Sequence, residues 1–142
     1  MRLLIDTLVA VMLAGVLAGV VYLQNLDTAH EEQVAETIES IRQIQQQIIL
    51  QAALEQVALN SAGYPETVDV EWFELAVPQN TLLEGELPWL EVAGVEHRDS
   101  LNPDRLTASD ATVASFWYNP YQGIVRARVP AEMSDQTALA MY

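Results

Sequence analysis

An uncharged apolar run near the start of the chain most constrains its fold. From Thr7 to Leu23 the sequence holds 17 residues without a charge, a length of roughly 26 Å as a helix. With the apolar residues 3–5, the run is long enough to cross the hydrocarbon core of a bilayer. A helix that is apolar on every side must be covered by lipid or by other helices. We therefore predict that residues 1–26 form a transmembrane or filament-core half of a helix.

A second helical pattern follows this run without a break. No proline precedes Pro65, and after Asp27 apolar residues recur at steps of about three and four while acidic residues and glutamines occupy the opposite face. The apolar stripe comprises Val34, Ile38, Ile41, Ile48 and Ala52, flanked by Ile44 and Leu59. This pattern predicts an amphipathic helix half over residues 27–62 that ends near Gly63.

The remaining sequence is typical of a small sheet. Residues 67–75 alternate apolar and polar side chains and predict a strand, whereas residues 88–93 fit either a short strand or an irregular segment. Residues 112–118 and 124–129 flank the turn sequence NPYQG and predict a hairpin, in which Arg126 and Arg128 share one face.

These elements together predict an α+β fold. A long N-terminal helix, apolar in its first half and amphipathic in its second, would pack its stripe against a small antiparallel β-sheet head over residues 63–130. Residues 131–142 would form a tail, either as a short helix or without regular structure.

Charge and composition exclude several classes of function. The formal net charge is −14, and the chain has neither lysine nor cysteine. A surface this acidic repels the phosphate backbones of nucleic acids. We therefore expect no nucleic-acid partner that binds through general electrostatic attraction. Without cysteine there is no disulfide and no thiolate chemistry.

No pattern of catalytic residues is evident, and we expect no enzyme. His30 and His97 lack a metalloprotease context, and the chain has no nucleophile elbow and no glycine-rich phosphate loop. Asp99, Asp104 and Asp110 are candidate calcium ligands because carboxylate oxygens suit that ion. Their spacing matches no fixed calcium loop, which favours a solvated acidic loop and no cofactor.

The first 22 residues resemble the mature N-terminus of the type IV pilin and pseudopilin superfamily. The stretch DTLVAVMLAGVLAGVV aligns without a gap on the family pattern ELLVVIAIIGILAAIA, which places Asp6 on the acidic residue and Gly15 on the mid-helix glycine. Asp replaces the usual Glu, and the paired cysteines of many pilins are absent. The resemblance implies a pilin-like fold with a helical spine and a sheet head.

The resemblance also implies roles for residues at the N-terminus. Asp6 would neutralise the N-terminal amine of a neighbouring subunit, which belongs to Met1, or to Arg2 if processing removes Met1, and which can be methylated. A buried carboxylate is tolerable when it is paired in this way, and the pairing fixes the axial register. The alternative is that Asp6 caps a helix start at the lipid head-group boundary.

Gly15 and Gly19 form a GxxxG spacing within the apolar run. This spacing allows two helices to approach closely, and glycine also loosens a helix. Both residues are therefore candidates for helix packing.

Three functions follow from these expectations. The first is a structural subunit that waits in the inner membrane and polymerises with itself into an extracellular filament at the cell surface, with a prepilin peptidase and an assembly ATPase as the partners that the resemblance implies. The second is a pseudopilin of a type II secretion-like machine in the periplasm. The third is a membrane-anchored extracytoplasmic binding domain, for which Asp6 would be dispensable.

Overall fold

The computed structural model describes the backbone of residues 2–133 and 135–140, and the side chains of these residues except 2–10, 27, 135, 137 and 140. The chain divides into two compact units, Met1–Gln33 and Val34–Tyr142. The first unit is entirely helical in its described part. The second, which we call the head, contains all the strands of the described residues.

Helix α1 spans Arg2–Leu54. The absence of proline and the low glycine content of this stretch allow its backbone hydrogen bonds to continue uninterrupted. The helix ends earlier than the predicted position near Gly63, because Glu55 adopts a left-handed backbone conformation with φ of +53°. Residues 60–64 then form a separate turn, in which the Asn60 side chain accepts hydrogen bonds from the backbone N–H groups of Ala62 and Tyr64.

The head contains two small sheets. Strands β1 (Leu90–Val92), β3 (Phe116–Asn119) and β4 (Ile124–Ala127) form one, and β2 (Thr107–Ala108) and β5 (Val129–Pro130) form the other. A short helix α2 follows at Asp135–Ala140.

The larger sheet is mixed, which corrects the prediction of an antiparallel sheet. β3 and β4 pair antiparallel as the predicted hairpin, with Phe116 opposite Ala127 and Asn119 opposite Ile124. β1 pairs parallel to the other edge of β3, and β2 also pairs parallel to β5. The α+β class itself is confirmed, because one long N-terminal helix accompanies a small sheet.

The strand predicted over residues 67–75 is wrong. The structure has a 3₁₀ helix at Val70–Trp72, where the Asp69 side chain accepts a hydrogen bond from the backbone N–H of Glu71 at 2.9 Å. Aspartate favours such local capping over a strand ladder. Trp72 and Phe73 then both pack against the core from an irregular segment.

The main core lies between α1 and the larger sheet. Thr37, Ile41, Ile44 and Ile48 are buried at helical spacing on one face of α1. The three isoleucines belong to one apolar cluster with Val68, Phe116, Tyr118, Val125 and Ala127. Aromatic edge contacts extend this core, with ring centroids 5.7 Å apart for Phe73 and Trp89 and 6.3 Å apart for Trp89 and Phe116. The predicted stripe is therefore confirmed at Ile41 and Ile48, and Ile44 lies at its centre rather than at its flank.

Buried polar groups in the head are satisfied by side chains that reach across the fold. The Asn80 amide donates to the backbone oxygens of Ser115 at 3.1 Å and Arg128 at 2.7 Å. Its oxygen accepts from the Thr37 hydroxyl of α1 at 3.3 Å and from the backbone N–H of Leu82 at 3.2 Å.

Tyr118 provides a second polar contact in the core. Its hydroxyl donates to the backbone oxygen of Pro65 at 2.8 Å. Burial, with a smaller contribution from Tyr64, raises the pKa of Tyr118 well above its ordinary value. The side chain therefore stays neutral at pH 7 and keeps its donor.

We expect Gly123→Ala to destabilise the head more than Gly85→Ala does. Both glycines have positive φ, +65° and +92°, so either alanine carries a backbone strain of about 1–2 kcal/mol. A Cβ at Gly123 would in addition lie 2.4 Å from the Tyr64 ring, whereas nothing lies within 4 Å of one at Gly85.

Thermal unfolding of the detergent-solubilised chain, followed by near-ultraviolet circular dichroism, measures the difference. Equal shifts of the melting temperature for the two variants would show that the contact between Gly123 and Tyr64 does not matter.

Candidate assembly segment

The apolar part of α1 is uncovered. Every large apolar side chain from Val11 to Leu26 is about half exposed or more, on all sides of the helix, as in Leu17 at 64% and Val21 at 53%. Among the described residues, one helix, within Val11–Leu54, is long and apolar enough to cross a membrane. The segment Val11–Leu26, which we call the apolar segment, therefore fits a transmembrane helix.

The two candidate packing glycines lie on this segment. Nothing lies within 4 Å of a Cβ built on Gly15 or Gly19, so no part of the described chain requires glycine at either position. The two glycines are one helical turn apart on the same face, and because they have no side chain they leave a depression in the helix surface. Contacts among the described residues therefore do not account for either glycine.

The candidate pairing residues lie at the start of the same helix. Arg2 and Asp6 belong to the backbone of α1, but their side chains lie outside the described ones. Met1 lies outside the described residues altogether. The predicted contact of Asp6 with a neighbour's amine stays a prediction.

Of the three calcium candidates, Asp110 and Asp104 make separate local contacts, and Asp99 is exposed in a turn. Asp110 accepts hydrogen bonds from the Thr112 hydroxyl and from the Thr112 backbone N–H at 2.9 Å, and lies 3.7 Å from Arg105. An oxygen of Asp104 lies 3.7 Å from Nδ1 of His97. No group of three or more histidine or acidic side chains, within the part of the chain that the structure describes, is placed to hold a metal ion.

The environment of Asp110 affects its titration. The hydroxyl and backbone hydrogen bonds from Thr112, followed by the positive charge of Arg105, lower the pKa of this carboxyl group. Because the folded pKa lies below the unfolded one, the contribution of Asp110 to stability is present above the unfolded pKa and is lost as the pH falls through the folded pKa.

Arg128 has a role that the sequence pattern does not indicate. Strand alternation predicts that it shares one face with Arg126, yet only 3% of the residue is exposed. Its guanidinium donates to the backbone oxygens of Arg105 at 3.0 Å and Ala114 at 2.9 Å, and to the Glu91 carboxylate at 2.8 Å. Arg128 therefore ties β1 and the loops before β3 together inside the head.

Arg126 is also held within the head. Its Nε donates to the Asn102 side chain at 3.0 Å and to the backbone oxygen of Leu101 at 3.2 Å. Arg126 in β4 and Arg128 directly after β4 thus both donate hydrogen bonds to loops of the same chain.

Comparisons of this chain with protein-family models, curated proteins and solved structures found no match.

We expect Arg128→Met to destabilise the head by about 2–4 kcal/mol, because one buried and one partly buried hydrogen bond to carbonyl oxygens are lost and Glu91 loses its partner. The matched control is Arg42→Met, which removes an exposed pair with Glu39 on α1 and should cost less than about 1 kcal/mol. Urea unfolding in detergent compares the two variants. Similar midpoints would mean that the Arg128 contacts add little.

We expect Thr112→Val to raise the pKa of the Asp110 carboxyl group towards its ordinary value, because the hydroxyl donor is lost. NMR titration of the side-chain carboxyl carbon measures this shift directly. Thr107→Val, a nearby threonine replacement in β2, serves as the control and should leave the Asp110 titration unchanged. An unchanged Asp110 pKa in the Thr112 variant would contradict the contact.

Proposed function

We propose that this chain is the structural subunit of a type IV pilin-like filament. The observation that carries the proposal is the apolar segment Val11–Leu26, which is uncovered on all sides. This segment belongs to the same helix as the isoleucines that pack against the sheet of the head. A helix apolar all round needs lipid before assembly and other helices afterwards. A bundle of such segments meets that need.

Burial of the apolar segment is present before and after assembly, and it does not fix the register of a bundle. Each apolar side chain kept out of water contributes about 1.5–3 kcal/mol in either state, without directional preference. Moving the apolar segment from lipid to a bundle keeps it out of water throughout. A directional contact must then select one stagger between neighbours, and the pairing of Asp6 with a neighbour's N-terminal amine would supply it.

The arrangement of the head is consistent with a subunit whose head forms the filament surface. Its core is formed within one chain by the isoleucines of α1 and the sheet, which pack against each other. Its surface is acidic, in a chain of net charge −14, and such a surface favours solubility over unspecific association. By the resemblance, a prepilin peptidase and an assembly ATPase would act on the subunit in the inner membrane, before the filament reaches the cell surface.

The proposal is tested by replacing Asp6. We expect Asp6→Ala and Asp6→Asn to reduce filament yield by roughly tenfold or more, since both remove the charge that pairs with the amine, while the amount of chain in the membrane stays unchanged. Asp6→Glu should retain filaments, because it keeps the carboxylate. Electron microscopy of sheared surface material, with immunoblots of the membrane fraction, measures both quantities.

Glu31→Ala is the matched control, because it removes an acidic residue from the same helix outside the apolar segment and should leave filament yield unchanged. Normal yield with Asp6→Ala would overturn the proposal and favour a membrane-anchored extracytoplasmic domain. Short periplasmic assemblies in place of surface filaments would favour a pseudopilin.

A further inference from the structure

A groove on the head combines amide side chains with an aromatic wall. It has a volume of about 680 Å³ and lies between α1 and residues 72–76, and this volume is within the range of about 300–1,000 Å³ that small-molecule sites occupy. Trp72 and Phe73 line it together with Leu50 and Leu54 of α1. The helix also contributes four amides, on Gln43, Gln46, Gln47 and Gln51. The groove therefore offers both an aromatic surface and hydrogen-bonding groups.

The amides of the groove are not used by the fold. Within the part of the chain that the structure describes, none of the four glutamine side chains makes a hydrogen bond. Gln47 and Gln51 are half-buried, and so is Trp72, whose indole N–H also has no acceptor among the described residues. An amide both donates and accepts, and an indole N–H donates. In the free chain water satisfies these groups, and a ligand can replace that water if it reproduces the same hydrogen bonds.

Two other depressions of the head lack this combination. One is acidic, since four carboxylates line it: Glu84, Glu86, Asp110 and Glu132. The other contains Asn80 and Trp89, but the fold already uses their polar groups. The Asn80 amide bonds carbonyl oxygens of the head, and the Trp89 indole N–H donates to the backbone oxygen of Pro78 at 2.7 Å. Unused amides beside an unused indole N–H thus distinguish the groove of Gln47 and Trp72.

The charge of the groove limits the class of ligand. Residues 43–54 of α1 contain no charged side chain, and Glu74 is the one charged residue among the described residues that line the groove. Because the chain has a net charge of −14, an anionic ligand is repelled. A lone exposed carboxylate holds a cation only weakly, but its two oxygens can accept hydrogen bonds from two neighbouring hydroxyls. These properties favour an uncharged ligand that is rich in hydroxyl groups.

We propose that the groove binds a neutral saccharide. Each sugar hydroxyl both donates and accepts, so it matches the glutamine amides and the Glu74 carboxylate. A sugar ring also has an apolar face of C–H groups, which can pack on the Trp72 indole and the Leu50 side chain as water leaves them. The inference goes beyond the proposed function and does not rest on filament formation.

An apolar occupant fits the groove less well than a saccharide. An apolar peptide, or the apolar segment of another chain, has no side-chain donor or acceptor with which to replace the water on Gln47 and Gln51. Covering a polar group without giving it a partner costs free energy. A saccharide avoids this cost, because its hydroxyls take over the hydrogen bonds of the displaced water.

The test measures the binding of trisaccharides to the whole chain in a detergent without a sugar head group, since a glycoside detergent would compete for the groove. The neutral probes are maltotriose, mannotriose and triacetylchitotriose, and trigalacturonic acid is the anionic probe. Saturation-transfer difference NMR detects each complex, and titration gives its dissociation constant. We expect saturable binding of at least one neutral probe, and binding of trigalacturonic acid that is at least about tenfold weaker.

Variants of α1 test whether the binding takes place in the groove. We expect Gln47→Leu together with Gln51→Leu to weaken the binding by about tenfold or more, because the ligand hydroxyls lose their partners. Leucine is as good a helix former as glutamine, so the helix is kept. Gln45→Leu is the matched control and should leave the dissociation constant unchanged. Gln45 belongs to the same helix and is also half-buried, but it does not line the groove.

Four results overturn the inference. They are the absence of saturable binding for every neutral probe, binding of trigalacturonic acid as tight as that of the neutral probes, equal losses with Gln45→Leu and with the double replacement, and tighter binding after the double replacement, which would indicate an apolar site. The Asp6 variants measure filament yield in a separate experiment. Failure of the saccharide site therefore leaves the proposed function standing, and failure of the proposed function leaves the saccharide site standing.

Discussion

The buried amide of Asn80 connects helix α1, its own loop and the ends of two paired strands through one side chain. It bonds two carbonyl oxygens near the ends of β3 and β4, a hydroxyl of α1 and a backbone N–H of its own loop. A buried group of this kind without a partner costs about 1–3 kcal/mol. Two of the four also have another partner, since the Ser115 oxygen accepts from the Arg128 backbone N–H at 2.9 Å and the Thr37 and Thr81 hydroxyl oxygens lie 3.4 Å apart. Because the strands have only two to four residues, few ladder hydrogen bonds are available, and the Asn80 contacts add to the packing of the α1 isoleucines on the sheet.

Two further asparagines act in the same way. Asn119 at the end of β3 donates to the backbone oxygens of His97 and Ser100, both at 2.8 Å. Asn60 donates to the backbone oxygen of Pro120 at 2.6 Å. Each amide supplies both a donor and an acceptor, so one side chain can replace several backbone contacts. A head with much irregular structure can therefore still satisfy its buried polar groups.

The sequence predicts those parts of the structure that depend on local pattern. The helix follows from the uncharged run and the three-four periodicity, and the hairpin follows from alternation on both sides of NPYQG. The strand over residues 67–75 was wrong because capping by Asp69 and packing of Trp72 outweigh a period of two. The roles of Asn80 and Arg128 could not be predicted, since their partners lie up to 48 residues away along the chain. The Asp6 contact stays a prediction, because it involves a second molecule.

The three asparagines also bear on how the head ages chemically. Deamidation of asparagine proceeds through attack of the following backbone nitrogen on the side-chain amide, and it turns a donor into an oxygen that can only accept. At Asn80 this would set a negative carboxylate against the carbonyl oxygens of Ser115 and Arg128 and remove both of these hydrogen bonds, while an acceptor for the Thr37 hydroxyl would remain. Asn119 is protected from this reaction, since Pro120 has no N–H with which to form the cyclic imide. Asn80 and Asn60 differ from Asn119 in this respect, because their following residues, Thr81 and Ser61, have the N–H that this route requires.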